Sequence, residues 1–338
     1  MPQYRQMMLS LFNRYAGSLP STTVLGSGSQ QRQYATSTSP SIVPRSSGHE
    51  SAGGSESGLR SRKRRRQSRS FSSTSSSDSA SNWSPGSETG DKGKQQPQLN
   101  FSELSKLIPQ QSPDGASSLW YIVATAAILG FHNEPAVGEL WHYISSLGGE
   151  QSQQLAVARR IREACLKASV LVGFPRGING LLSLQSSLQK NSADLAQILN
   201  SDTSLRAPVP PEEKYRRGKD FFSQIYTQHT DRVLESMGRS SGGDLSYYAV
   251  ASIYGELMAE TSIMNGKETG ILEFVCCLAD DVAPQAKGHF FGCRNLGASK
   301  TEIQGTISLV QEVARQLDLG RIPGSGDQFR FLNKAESW

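Results

Sequence analysis

Helical periodicity in the second part of the chain constrains its fold most strongly. Between positions 117 and 319 the apolar residues recur at spacings of three and four, and no run alternates convincingly with a period of two. Val157, Ile161 and Ala168, for example, lie on one face of a helix that Gly173 would end. Spacing of this kind is typical of α-helices that bury one side against a core. We therefore predict an all-α fold.

Composition separates this helical part from a long leader. Only 36% of the 338 residues are hydrophobic, and the shortage is concentrated at positions 20–98, which are rich in Ser, Gly and Gln. Such a segment cannot bury enough apolar surface to offset an ordering cost of roughly 1–2 kcal/mol per residue. The predicted segments are a transit peptide at 1–34, a disordered linker at 35–98, a helical N-terminal half at 99–207, a second helical half at 208–320 and a C-terminal tail at 321–338.

The two predicted halves echo each other weakly. Glu163–Asn179 and Glu273–Asn295 both run through a helix, a short turn, a proline, a second helix and an asparagine. This pattern fits an internal duplication and fits equally well two unrelated pairs of helices that share a Gly/Pro turn. Both interpretations stay open at the level of sequence.

The leader carries features of an organellar address. No acidic residue precedes Glu50, and the first helix-forming stretch has six large apolar side chains on one face. These are Tyr4, Met7, Met8, Leu11, Phe12 and Tyr15. An acid-free, Arg- and Ser-rich amphipathic helix is typical of a mitochondrial transit peptide. The basic run at 62–66 favours the nucleus as an alternative, and the last three residues, 336–338, do not match a peroxisomal SKL-type address. We predict a mitochondrial protein.

Several functional classes are disfavoured by the sequence. The longest apolar stretch, Leu119–Phe131, is thirteen residues long, shorter than the roughly 20 needed to span a membrane. The net charge of +5 arises mainly from the basic leader, so we expect no nucleic-acid partner. The histidines at 132, 142, 229 and 289 lack the spacing of metal ligands, and no Gly-rich loop precedes a helix. We expect neither a metal nor another cofactor.

Residues 278–299 carry the most distinctive motif. They read LADDVAPQAKGHFFGCRNLGAS and are followed by Glu302-Ile303. The motif resembles the carboxymuconolactone decarboxylase/AhpD-like superfamily, and segments at 159–163 and 172–179 extend the resemblance to about two thirds of the chain. The resemblance implies an all-α fold whose helices interlock between subunits, and therefore a homo-oligomer.

The same resemblance implies two chemistries. In one branch a CxxC pair before the histidine reacts as a thiol, but the matching positions here are Val282 and Gln285, which offer no thiolate. In the other branch a histidine transfers a proton, so His289 would serve a lyase or isomerase acting on a small molecule. We slightly favour a different function, that of a non-catalytic, oligomeric helical scaffold protein of mitochondria, over this enzyme. A thiol-dependent antioxidant using Cys276, Cys277 or Cys293 is the least favoured alternative.

Three residues are the candidate catalytic groups. His289 titrates near neutral pH and could act as acid or base. Glu273 could orient it or relay its proton, and Gln285, four residues before it, could bind a substrate oxygen. The structural alternatives are a core histidine and an ordinary helix carboxylate. The catalytic interpretation requires that His289 lie beside a hollow and a second polar side chain.

Overall fold

A computed structural model of the protein describes residues 98–109, 117–202 and 208–338. The predictions made for the leader therefore lie outside the described residues. Within them the regular elements are all helical and no strand occurs, which confirms the predicted fold class. The helices are α1 (Phe101–Leu104), α2 (Trp120–Gly130), α3 (Ala136–Ser146), α4 (Gln151–Val172), α5 (Phe174–Asn191), α6 (Ala193–Ser201), α7 (Pro211–Tyr226), α8 (Thr230–Ser241), α9 (Asp244–Tyr248), α10 (Gly266–Ala279), α11 (Ala283–Asn295) and α12 (Lys300–Gln316).

Two apolar helices form the centre of the main core. Every residue of α2 is buried, as expected for a helix that is hydrophobic on all sides. Helix α10 is buried from Glu268 to Ala279 and packs against α2, α4, α11 and α12. It begins with a capping box in which Asn265 and Glu268 bind each other's backbone amides. A helix this central presents any polar side chain it carries to the interior.

A second, smaller cluster lies between α7 and a π-helix at Ala249–Met258. The two helices cross so closely that a Cβ atom on Gly218 would stand 1.9 Å from the carbonyl oxygen of Val250. π-Helices are rare and frequently mark functional sites. The buried apolar residues here are Phe221, Phe222, Ile225, Tyr254 and Met258. This region places aromatic side chains over one side of α10 and α11.

The apolar residues between positions 212 and 237 recur with a helical period that predicts one continuous helix, but the structure interrupts it. Helix α7 ends at Tyr226, and Thr227 adopts φ 45° and ψ −121° before α8 begins at Thr230. A β-branched residue rarely adopts this conformation, so the apolar periodicity that runs through the break gives no indication of it. The interruption leaves Tyr226 as the last residue of α7.

The C-terminal residues pack onto the same core. A 3₁₀ segment at Asp327–Ser337 buries Phe329, Phe331 and Leu332, although the sequence suggests a tail. The ring of Trp338 lies 4.6 Å from the ring of Phe290 on α11, measured between centroids. None of the described helices combines the length and apolar character needed to cross a membrane.

Candidate functional site

Four polar side chains from four helices meet on one side of α10. We call them the polar core cluster: Glu273 on α10, His289 on α11, Tyr226 at the end of α7 and Tyr254 in the π-helix. The imidazole of His289 lies between two of them, with Nδ1 3.6 Å from Oε2 of Glu273 and Nε2 3.4 Å from the hydroxyl of Tyr226. The structure therefore brings together two of the three predicted site residues.

The inner pair of the cluster, Glu273 and His289, has few and poorly formed hydrogen bonds: the Tyr254 hydroxyl approaches Glu273, and the two side chains lie 3.6 Å apart. Glu273 is fully buried and the side chain of His289 is 7% exposed. Neither carboxylate oxygen of Glu273 accepts a hydrogen bond of standard geometry from any described residue, and Nδ1 of His289 makes none either. Most buried polar groups are satisfied, because an unpaired one costs about 1–3 kcal/mol. Three buried polar atoms without a well-formed hydrogen bond therefore lie together, which marks this position as a candidate ligand site.

Burial sets the charge of the cluster. It raises the pKa of Glu273 to about 8, while the nearby Tyr254 hydroxyl and the charge of Lys167 act in the opposite direction. Burial lowers the pKa of His289 to about 4. It also raises the pKa of both tyrosines, with a smaller contribution from the Glu273 charge. At pH 7 all four side chains are consequently uncharged.

The third predicted residue lies apart from the other two. Gln285 is on the exposed face of α11, one turn before His289. Cys293, one turn after His289, is buried and donates its thiol to the carbonyl of Gly270 at 3.3 Å. The structure thus joins His289 with Glu273 but leaves Gln285 at the surface, and the catalytic roles of all three stay predictions.

The hollow that the catalytic interpretation requires is not found beside His289. A cavity of about 830 Å³ lies between α3, α5 and residues 98–102. A second, of about 690 Å³, lies where α7 and α11 end and α10 begins. His289 lines neither of them. In the described part of the chain, no group of three His, Cys, Asp or Glu side chains could hold a metal ion.

Sequence reasoning missed two polar residues of this region. Tyr226 looked like part of an apolar helix face, and its contact with His289 joins residues 63 positions apart. Lys167 is fully buried, and its ammonium donates to the carbonyls of Met258 and Glu260 and to Oγ1 of Thr269, at 2.6–3.2 Å. It thereby anchors the end of the π-helix. No local pattern distinguishes either residue from ordinary members of an amphipathic helix.

Comparison with known proteins gives two relatives. Peroxisomal protein 2 of Schizosaccharomyces pombe is 30% identical over 176 residues, which span 51% of this chain and 78% of the relative. Peroxisomal protein 2 of Saccharomyces cerevisiae is 25% identical over 269 residues, which span 62% of this chain and 92% of the relative. No family model and no solved structure matches. The chain is an all-α protein that belongs to the family of Peroxisomal protein 2.

These relatives correct the assignment made from the motif at 278–299. The chain was expected to be a carboxymuconolactone decarboxylase/AhpD-like protein, but no model of that family matches and both relatives carry a peroxisomal name. Part of the motif has a simple structural origin. Residues 295–299 close α11, and Ser299 with Glu302 forms the capping box of α12. Helix ends of this kind recur in unrelated proteins, so the residues at 295–302 are weak evidence of common ancestry.

The functions that were predicted from that family assignment are contradicted as well. The lyase or isomerase of that superfamily, the mitochondrial scaffold and the thiol antioxidant are all overturned by the peroxisomal relatives. The thiol alternative also lacks a reactive group, because burial raises the pKa of the Cys277 thiol to about 12. All four cysteines are buried. A thiol held in its protonated form is a poor nucleophile.

The predicted location is also wrong. Mitochondria were expected and the nucleus was the alternative, whereas both relatives are named as peroxisomal proteins. The prediction used only the charge and amphipathicity of a Ser- and Arg-rich leader, and basic disordered segments share this composition whatever their destination.

Proposed function

We propose that this protein acts in peroxisomes and that the polar core cluster is where it receives a small molecule. The peroxisomal names of both relatives support the location. The observation that carries the binding role is that both oxygens of Glu273 and Nδ1 of His289 are buried and make no hydrogen bond of standard geometry with the described residues. A ligand that supplied those partners would recover the desolvation penalty of the apoprotein.

The order of the four side chains supports proton exchange with such a ligand. Glu273 is protonated at pH 7 and faces Nδ1 of His289, whose Nε2 faces the Tyr226 hydroxyl. A proton could pass from Glu273 to Nδ1 while Nε2 releases its own proton to an oxygen of the ligand, which leaves Glu273 as the carboxylate, the imidazole neutral and the ligand protonated. His289 and Glu273 are thus the groups that we assign to the chemistry. Gln285, at the surface, is at most a contact for a ligand on its way in.

The location is tested by expressing the 338-residue chain with a fluorescent protein at either end, together with a peroxisomal marker. We expect the fusion to coincide with the marker and to become diffuse in cells that cannot import peroxisomal proteins. A reporter carrying residues 1–97 alone is the matched control for the leader. Accumulation of the full chain in mitochondria or in the nucleus would refute the proposed location.

Ligand binding is tested by incubating the purified protein with a small-molecule extract of isolated peroxisomes. Bound or converted compounds are identified by mass spectrometry for the wild type, Glu273→Gln and His289→Gln. The matched control is Glu312→Gln on α12, a carboxylate whose partner Arg315 is 65% exposed. We expect a compound that is retained by the wild type and the control and lost in both cluster variants. Equal retention by all four proteins would contradict the binding role.

A further inference from the structure

The charges around the polar core cluster restrict what it can accept. The cation whose charge acts on Glu273 is Lys167. Its ammonium is already held by Met258, Glu260 and Thr269 and lies 3.7 Å from the carboxylate of Glu163. A carboxylate or phosphate that entered the cluster would lose its hydration without gaining an available cation from the described residues. Burying an uncompensated charge is far more costly than burying a hydrogen-bonded neutral group.

The hydrogen-bonding capacity of the cluster points to neutral ligands. A protonated Glu273 offers one O–H donor, a neutral imidazole offers one donor and one acceptor, and each phenol offers a donor. Carbonyl and hydroxyl oxygens match this set without any net charge. The unpaired atoms of Glu273 and His289 are therefore best satisfied by an uncharged, oxygen-containing molecule.

Tyr226 closes the outer side of the cluster. Its ring packs on Phe222 at 4.4 Å between centroids, and its hydroxyl reaches Nε2 of His289. It also covers the backbone at Gly288, where an added Cβ would lie 3.2 Å from a ring carbon of Tyr226. Tyr226 itself is only half-buried. Of the four cluster side chains it is thus the one that borders solvent.

The backbone beneath this ring is held on both sides. The side-chain amide of Asn295 donates to the carbonyl of Ile225 at 2.8 Å, and Thr227 stands in its strained conformation directly after Tyr226. The Thr230 hydroxyl binds the carbonyl of Thr227 at 2.7 Å. With the backbone fixed, the ring can leave the cluster only by rotation of its own side chain. Rotation would vacate a space of about one six-membered ring next to His289.

We propose that the polar core cluster binds a small uncharged carbonyl or hydroxyl compound and that the ring of Tyr226 is the movable cover that admits it. This inference rests on the proposed binding role and adds to it the ligand class and the entry route. Tyr226 acts on access, whereas Glu273 and His289 contact the ligand.

The test uses three probes of equal ring size: cyclohexanone, cyclohexanol and cyclohexanecarboxylate. Each is titrated into the 338-residue protein labelled at histidine, and the His289 signals, assigned with His289→Gln, are followed by NMR. We expect cyclohexanone and cyclohexanol to shift these signals and the carboxylate to leave them unchanged. A carboxylate that binds as well as the neutral probes would overturn the ligand class.

The cover is tested with Tyr226→Ala, with Tyr215→Ala on the same helix as the matched control. Tyr215 lies eleven positions before Tyr226 and stacks on Tyr247 instead of on a residue of the cluster. If the ring stands open about one tenth of the time, its removal should tighten binding of the neutral probes about tenfold. Tyr226→Phe keeps the ring and loses only the hydroxyl contact with His289, so it should tighten binding less than Tyr226→Ala does.

Two outcomes would overturn the cover. One is unchanged affinity in a Tyr226→Ala protein whose circular dichroism shows an intact fold. The other is absence of any probe-induced shift of His289 in both the wild type and Tyr226→Ala. The result is separable from the proposed function. If the peroxisomal extract yields a bound compound while the neutral rings fail, only this inference falls, and if both fail, the binding role falls as well.

Discussion

Two buried glutamates on helix α10 lie five residues apart and have opposite surroundings. Glu268 receives both terminal nitrogens of Arg160, at 2.8 and 3.2 Å, and the backbone amide of Asn265 at 2.9 Å. Glu273 receives no hydrogen bond of standard geometry from the described residues. Both side chains are removed from solvent. One helix therefore carries a satisfied carboxylate and an unsatisfied one.

The contrast separates a structural role from a functional one. Arg160 also donates to the Tyr121 hydroxyl and to the carbonyls of Ser118 and Ile263, so the Arg160–Glu268 pair ties α4, α10 and two loops together. Glu273 forms no comparable ion pair that would tie several described helices and loops together. Residues at functional sites are often arranged against stability and are tolerated because the rest of the fold supplies it. The following variants test whether the two glutamates differ in this way.

The largest effect is expected for Arg160→Ala. It leaves the Glu268 carboxylate buried without its cation, and breaking a buried pair in this way costs about 3–5 kcal/mol. The free energy of unfolding, measured by urea denaturation, should fall by that amount. Arg315→Ala, which breaks the mostly exposed pair with Glu312, is the control and should change stability by at most about 1 kcal/mol. Equal losses in the two variants would remove the distinction between buried and exposed pairs.

Neither member of this contrast could have been read from the sequence. Periodicity and capping residues predict where α4 and α10 lie, because those signals act over three or four positions. The contact between Arg160 and Glu268 spans 108 positions. Glu273 and His289 were predicted as a pair from a motif, and the structure places them together, but the absence of other partners depends on helices that meet only in the folded chain.

The second prediction concerns the dependence of stability on pH. It follows from the pKa of Glu273, which is raised, and the pKa of His289, which is lowered. The pKa of Glu273 rises from 4.5 to about 8 on folding, so the folded state keeps a proton that the unfolded chain loses over this interval. Stability therefore falls as pH rises from 4.5 to 8. The pKa of His289 falls from 6.5 to about 4, so its contribution to stability rises between pH 4 and 6.5.

The two contributions offset each other between pH 4.5 and 6.5. The wild type should then lose on the order of 1 kcal/mol per pH unit between pH 6.5 and 8. Tyr226, Tyr254 and Cys277 also face Glu273, but burial raises the pKa of each, so they stay protonated throughout. Lys167 contributes only a charge that opposes the shift of Glu273.

Two variants separate the contributions in urea denaturation at a series of pH values. Glu273→Gln should abolish the loss above pH 6.5 and leave a rise between pH 4 and 6.5. His289→Gln should instead give a continuous fall from pH 4.5 to 8. Glu312→Gln is the control and should retain the wild-type profile above pH 5. If the profiles of the wild type and Glu273→Gln run parallel, Glu273 is not a protonated buried acid.

The break between α7 and α8 shows another limit of sequence reasoning. The apolar positions from Phe221 to Val233 continue a helical period, and the sequence predicts one helix across them. In the structure the helix ends at Tyr226, where the side chain of Asn295 donates to the carbonyl of Ile225 and Thr227 adopts a φ of 45°. Such constraints come from tertiary packing, which overrides local preference.

The smallest effect on stability is expected for a substitution at this break. It tests whether the backbone next to the polar core cluster, which contains the unsatisfied Glu273, is strained. Thr227 at φ 45° and ψ −121° stores about 1–3 kcal/mol, and glycine would relieve it while losing about 0.5–1 kcal/mol of backbone entropy. Thr227→Gly should therefore stabilise the protein by about 1 kcal/mol in urea denaturation. The control is Asp318→Gly, at a position where φ is 51°. Aspartate tolerates the left-handed region better than threonine, so this substitution should increase the free energy of unfolding less. A loss of stability in Thr227→Gly would show that the threonine side chain, rather than the backbone it strains, holds the end of α7 beside the cluster.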